Sequence, residues 1–122
     1  MAVVIEEEPT KYPAIVEVEY SRGNKPVLGV VDEGVLGRRF FEMDITRVNG
    51  VLVKAQARFV VRDSIELHAM ADLVHRILSG GVNEAIIKDL SAYGIVTVTY
   101  STMEYEDDEA YVERLTIRAT PG

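Results

Sequence analysis

The chain has 122 residues, a net charge of −7, 48% hydrophobic and 27% charged residues, and no cysteine. A chain of this size buries about two-thirds of its unfolded surface, enough for one core without covalent staples. The missing cysteines exclude disulfides, thiolate catalysis and cysteine-type zinc sites, and no apolar run approaches the ~20 residues that span a bilayer.

At the N-terminus, Met1-Ala-Val-Val-Ile-Glu-Glu-Glu has neither the positive flank nor the cleavage site of a secretory leader, so the cytoplasm is the expected compartment. Glu6-Glu7-Glu8-Pro9 and Tyr12-Pro13 interrupt regular structure. Residues 1–13 therefore read as a tail whose Val3-Val4-Ile5 is able to dock as an edge strand, and residues 14–122 as a single domain. Ala14, Val16, Val18 and Tyr20 alternate with Glu17 and Glu19, the pattern of a half-buried strand. Ser21 to Pro26 is turn chemistry, Val27 to Val31 a shorter strand, and Asp32 to Gly37 a loop.

Arg39 to Arg62 contains two long alternating runs around Val48-Asn49-Gly50. A two-residue Asn-Gly turn sets Ile45 against Lys54 and Phe41 against Arg58, mixing apolar with polar partners. A three-residue loop with left-handed Gly50 at a bulge shifts the register by one and separates the faces, so it is the expected geometry. Ile45 then meets Val53, Met43 meets Ala55 and Phe41 meets Ala57. On the other side Asp44 meets Lys54, Glu42 meets Gln56 and Phe40 meets Arg58.

Asp63-Ser-Ile-Glu66 forms a capping box that opens a helix running to about Ser79 and stopping at Gly80-Gly81. Leu67, Met70, Ala71, Val74, Ile77 and Leu78 make its buried stripe. A second helix spans about Asn83 to Tyr93, with Ile86, Ile87 and Leu90 inward and Glu84 paired with Lys88 outward. Strands over Ile95–Tyr105 and Tyr111–Thr120 flank the acidic turn Glu106–Glu109. The order ββββααββ predicts an α+β fold: a mostly antiparallel sheet of long hairpins with two helices packed on one face. The single Gln56 and three asparagines leave few heat-labile amides, a thermophile tendency.

Between Arg22 and Arg62 eight basic residues meet four acids, so the acidic excess lies elsewhere. The acidic whole disfavours general duplex or membrane-surface binding. The polar face of the central hairpin still carries Phe40, Lys54, Gln56 and Arg58, with Arg38, Arg39 and Arg62 near its base. Aromatics interleaved with cations suit single-stranded nucleic acid, because bases stack on rings while cations track phosphates. Cross-strand pairing of the same residues is the competing account.

His68, Asp72 and His75 share one edge of the first helix, a pattern open to metal or acid/base chemistry. Two histidines seven residues apart lie roughly 10 Å apart along the axis, so one ion needs a further ligand from elsewhere. Glu104 to Glu109 lacks the glycine and spacing of a calcium loop, and Gly29, Gly34 and Gly37 precede no helix that would hold a phosphate.

Two helices around Gly80-Gly81, then Leu90-Ser-Ala-Tyr-Gly94 and a hairpin ending Leu115-Thr-Ile-Arg118, resemble the second half of a winged helix-turn-helix. The first helix of that trio is absent, the wing tip is acidic and Lys88 is the only cation on the reading helix, so groove insertion is not expected. The leading expectation is a non-catalytic assembly protein that self-associates, with no cofactor, no membrane partner and an unidentified protein partner. Single-stranded nucleic-acid binding comes second and a metal-dependent enzyme third. Convergence of the eight cations on one face would favour the second; scatter favours the first.

Overall fold

A computed structural model describes residues 2–122. The chain is α+β, with one mixed seven-stranded sheet and two helices. The strands are β1 (Val4–Ile5), β2 (Ala14–Ser21), β3 (Val27–Glu33), β4 (Phe41–Val48), β5 (Val51–Val61), β6 (Thr97–Asp107) and β7 (Ala110–Thr120). The helices α1 (Ser64–Gly80) and α2 (Glu84–Ala92) lie between β5 and β6 in the chain. Spatially the sheet runs β1-β3-β2-β5-β4-β7-β6, and every neighbouring pair is antiparallel except β1 with β3. A fifth strand thus precedes the helices, and the expected tail is in part structured: Val4 and Ile5 pair with Val27 and Leu28.

The turn of the central hairpin differs from expectation. Val48 pairs with Val51, leaving Asn49 and Gly50 as a two-residue turn with φ of 50° and 78°. Both central residues are left-handed, as a type I′ turn demands, and its twist matches that of the strands it joins. Left alone, this turn would set apolar side chains against polar ones. The register instead shifts between Thr46 and Arg47, where Thr46 pairs with Lys54 but Arg47 with Leu52. Val53 is the extra residue of a bulge, and it restores the faces. The inward pairs become Ile45 with Ala55, Met43 with Ala57 and Phe41 with Phe59. The face assignment survives while each expected pair moves by two residues along β5. The two rings of Phe41 and Phe59 stack at 5.8 Å.

These residues, Ala14, Val16, Val18 and Leu28, together with Ile117 and Ala119 of β7, form one hydrophobic core with the buried stripes of α1 and α2. Asp63 caps α1 by accepting from the Glu66 amide at 2.7 Å, and Asn83 caps α2 by accepting from the Ile86 amide at 3.1 Å. The helices are tied to each other where Arg76 donates to Asp89 at 2.5 Å; among the described residues, Glu84 and Lys88 form no ion pair.

Two polar ties join distant parts of the chain. The Asn49 amide donates to the Tyr111 carbonyl at 2.7 Å, and the Tyr111 amide donates to Asn49 Oδ1 at 2.9 Å, clasping the central turn to β7. The amide and hydroxyl of Thr10 both donate to Glu33, at 2.9 and 3.0 Å. Replacing Asn49 with Ala removes an acceptor and the side chain best suited to a left-handed position, so a loss of about 1–2 kcal/mol in urea unfolding is expected. Asn49→Gly, which keeps the turn, should lose less.

The hydrogen bonds from Thr10 hold the Glu33 carboxyl below its usual range. A lowered carboxylate contributes stability above its unfolded pKa, and that contribution goes as pH falls through the lowered value. The Thr10 amide resonance should accordingly stay at its native shift through mildly acidic pH. It should move only below the ordinary glutamate range.

Candidate functional site

The side of β2, β5, β4 and β7 opposite the core is polar, and its cross-strand rows can be read from the register. One row runs Glu17, Arg58, Glu42, Arg118 and Thr99. The next runs Glu19, Gln56, Asp44, Thr116 and Ser101. The first alternates negative and positive charge, the arrangement in which directly opposed side chains attract. Arg58 lies 3.6 Å from Glu17, and Arg118 lies 3.8 Å from Glu42 and 3.5 Å from Asp44. The Thr116 hydroxyl donates to Asp44 at 3.1 Å.

This geometry disperses the residues that sequence reasoning grouped as a nucleic-acid platform. Lys54, Gln56 and Arg58 do face outward on β5, but Arg58 stands opposite Glu17 and Glu42, not Phe40. Phe40 is half-buried just before β4. Arg39 turns away altogether and grips Glu66 through both guanidinium nitrogens, with side chains only 15% and 9% exposed. Arg47 donates to the Leu78 carbonyl at the end of α1 at 3.2 Å. Arg38 lies in the loop before β4, and Arg62 lies exposed beyond the end of β5. The eight cations therefore scatter: two engage α1, two sit on the outer face, and the others occupy turns and loops.

The histidine edge stays together on α1, but two of its members take other partners. Asp72 pairs with Arg76 one helical turn on, at 3.2 Å. His68 sits 3.5 Å from Glu8 of the N-terminal segment. With His75 these residues border a shallow hollow of about 190 Å³ against Val3 and Ile5. Among the described residues, no three His, Asp or Glu side chains come together as a metal cage.

Sequence reasoning missed the buried Arg39–Glu66 pair, because Glu66 at the third helical position already had an account in the capping box. It also missed a carboxylate couple. The Glu19 carboxyl is pushed above its usual range by a hydrogen bond with Glu17 and by that neighbour's charge, with Lys54 pulling the other way. The i, i+2 spacing on a strand was the available signal.

Larger hollows flank Lys54. One of about 770 Å³ is lined by Glu19, Asn24, Lys25 and Lys54. The other, of about 620 Å³, is lined by Lys54, Arg114, Asp44 and Ser101 among others. Arg114 also lies 5.8 Å from the Tyr105 ring centroid, within cation–π range.

The hairpin β6–β7 and the residue just before it expose several large side chains. Val96, Tyr100 and Met103 are 56%, 56% and 54% exposed, and Tyr111 is 37% exposed. The Tyr111 phenol is pushed up to about 12, first by its hydrogen bond to Glu104 and then by desolvation and the Glu104 and Glu113 charges. β6 pairs with β7 over its full eleven residues without a register shift, and its other side has no neighbour in the sheet.

No family model, curated protein or solved structure matches the chain. Removing Arg39 leaves the Glu66 carboxylate enclosed and unpaired, so Arg39→Ala is expected to cost about 3 kcal/mol in denaturant unfolding. A double change to methionine at both positions should recover most of that.

Proposed function

We propose that this chain is a non-catalytic assembly protein that associates with itself and presents a hairpin face to a partner, in the cytoplasm. In this reading α1 and α2 cover one face of the sheet near its centre and leave its β6 end bare. The observation that carries it is the exposure of large side chains at the β6–β7 hairpin, Tyr100 and Tyr111 on one face, Met103 on the other and Val96 just before β6, side chains of the kind that supply interface energy. The scatter of the eight cations and the pairing of Arg39 and Arg58 with carboxylates weigh in the same direction, because they leave no continuous basic track for a phosphate backbone. No helix among the described residues is long and apolar enough to cross a membrane.

Sedimentation velocity across a wide concentration range should show the average mass rising above that of one chain. Single-stranded oligonucleotides at low salt should not bind saturably. Monomeric sedimentation throughout, or salt-steep oligonucleotide binding abolished by Lys54→Glu, would defeat the proposal.

A further inference from the structure

We infer that a second copy of this chain docks along the free edge of β6, antiparallel and centred on Tyr100, which joins two seven-stranded sheets into one across a two-fold axis; this rests on the assembly reading above. An outer strand exposes a row of unpaired amide and carbonyl groups, and soluble proteins normally blunt it with short length, Lys, Pro or a bulge. β1, at the other rim, follows that rule: it has two residues and runs into Glu6-Glu7-Glu8-Pro9. β6 breaks it, with eleven residues, no proline, no lysine and no interruption of its pairing. Six of its eleven residues are Thr, Val or Tyr, which favour strands.

Charge chooses the occupant and the register. Each copy carries −7, so two copies repel except where the surface is neutral. Thr97 to Met103 is a seven-residue stretch of β6 without a charged side chain, and it is followed by Glu104, Glu106 and Asp107. Tyr100 is the middle of that stretch. Antiparallel pairing about Tyr100 places Val98 opposite the partner's Thr102, Thr99 opposite the partner's Ser101 and Thr97 opposite the partner's Met103. The two acidic tips then point to opposite ends of the joint. Pairing centred nearer the tip would bring Glu104 of one copy against carboxylates of the other. Directly opposed residues across a two-fold share a face, so the two half-exposed Tyr100 rings meet and cover each other.

The natural absence of cysteine makes single-cysteine crosslinking a direct ruler. Opposed residues in antiparallel strands have Cα atoms about 4.5–5.5 Å apart, inside the disulfide range. For Thr99→Cys or Ser101→Cys, like positions lie two residues out of register, about 8 Å apart and beyond it. Mild oxidation should therefore give a covalent dimer with Tyr100→Cys, little with either neighbour alone, and a dimer again when Thr99→Cys and Ser101→Cys are combined. Ile65→Cys, exposed on α1, controls for random collision. In parallel, Tyr100→Lys sets two ammonium groups face to face. It should convert the dimer to monomer in sedimentation while leaving the circular dichroism spectrum intact, since Tyr100 is not in the core. Added salt should tighten the wild-type dimer by screening the two acidic copies.

Equal crosslinking at Ile65→Cys, or crosslinking at Thr99→Cys or Ser101→Cys alone with none at Tyr100→Cys, overturns the inference. So does a dimer that survives Tyr100→Lys, although that result leaves self-association standing through another surface. A wild-type chain that is monomeric at every concentration overturns both.

Discussion

Everything in this sheet depends on keeping two chemically different faces apart through a hairpin whose turn, by itself, would mix them. Asn49-Gly50 closes tightly with both residues left-handed, and strand side chains alternate with a period of two. The one extra residue at Val53 reconciles these demands. With it, Phe41, Met43 and Ile45 fall within the one hydrophobic core together with Ala55, Ala57 and Phe59. Without it, Lys54 and Arg58 would be driven toward a core that offers their charges no water and no partner, a far greater cost than a local break in the ladder.

The same alternation organises the outer face. Once Arg58 and Arg118 are fixed outward, the carboxylates of Glu17, Glu42 and Asp44 arrive beside them from neighbouring strands. Of the eight cations between Arg22 and Arg62, Arg58 joins this lattice while Arg39 pairs with Glu66. Exposed pairs of this kind add little stability each. They nevertheless occupy the cations, which changes what the surface offers to a visitor. Beyond those pairs, the outermost strand offers Thr97 to Met103, a stretch without a charged side chain.

Much of the architecture was legible because it rests on local chemistry. Asp63 and Asn83 announce the helix starts, Gly81 and Gly94 the ends, and the stripe from Leu67 to Leu78 identifies the buried side of α1. Alternation located β2, β4 and β5, while composition and the flanking turns located β3, β6 and β7. The pairing within the central hairpin was not legible in detail, since turn and bulge compensate and face patterning alone cannot distinguish one bulged loop from a tight turn plus a bulge. Nor was Arg39–Glu66: the two residues are 27 positions apart, and only the packing of the loop before β4 against α1 brings them together. Val3-Val4-Ile5 was legible as an edge strand, but its parallel partner was not, since that partner lies beyond a whole intervening strand. Among the candidate residues, the outward direction of Lys54, Gln56 and Arg58 followed from the sequence, while their neighbours across the sheet did not.

The brevity of β1 has a consequence for how large an assembly can become. A sheet with two adhesive rims can add subunits without limit and propagate into fibres. Here the strand at one rim is only two residues long and runs into a series of glutamates and a proline, whereas the strand at the other is eleven residues long and uncharged from Thr97 to Met103. If two β6 edges meet as proposed, that rim is used up and each sheet presents only its β1 side outward. On the proposed pairing, edge-to-edge association through β6 would end in a closed pair.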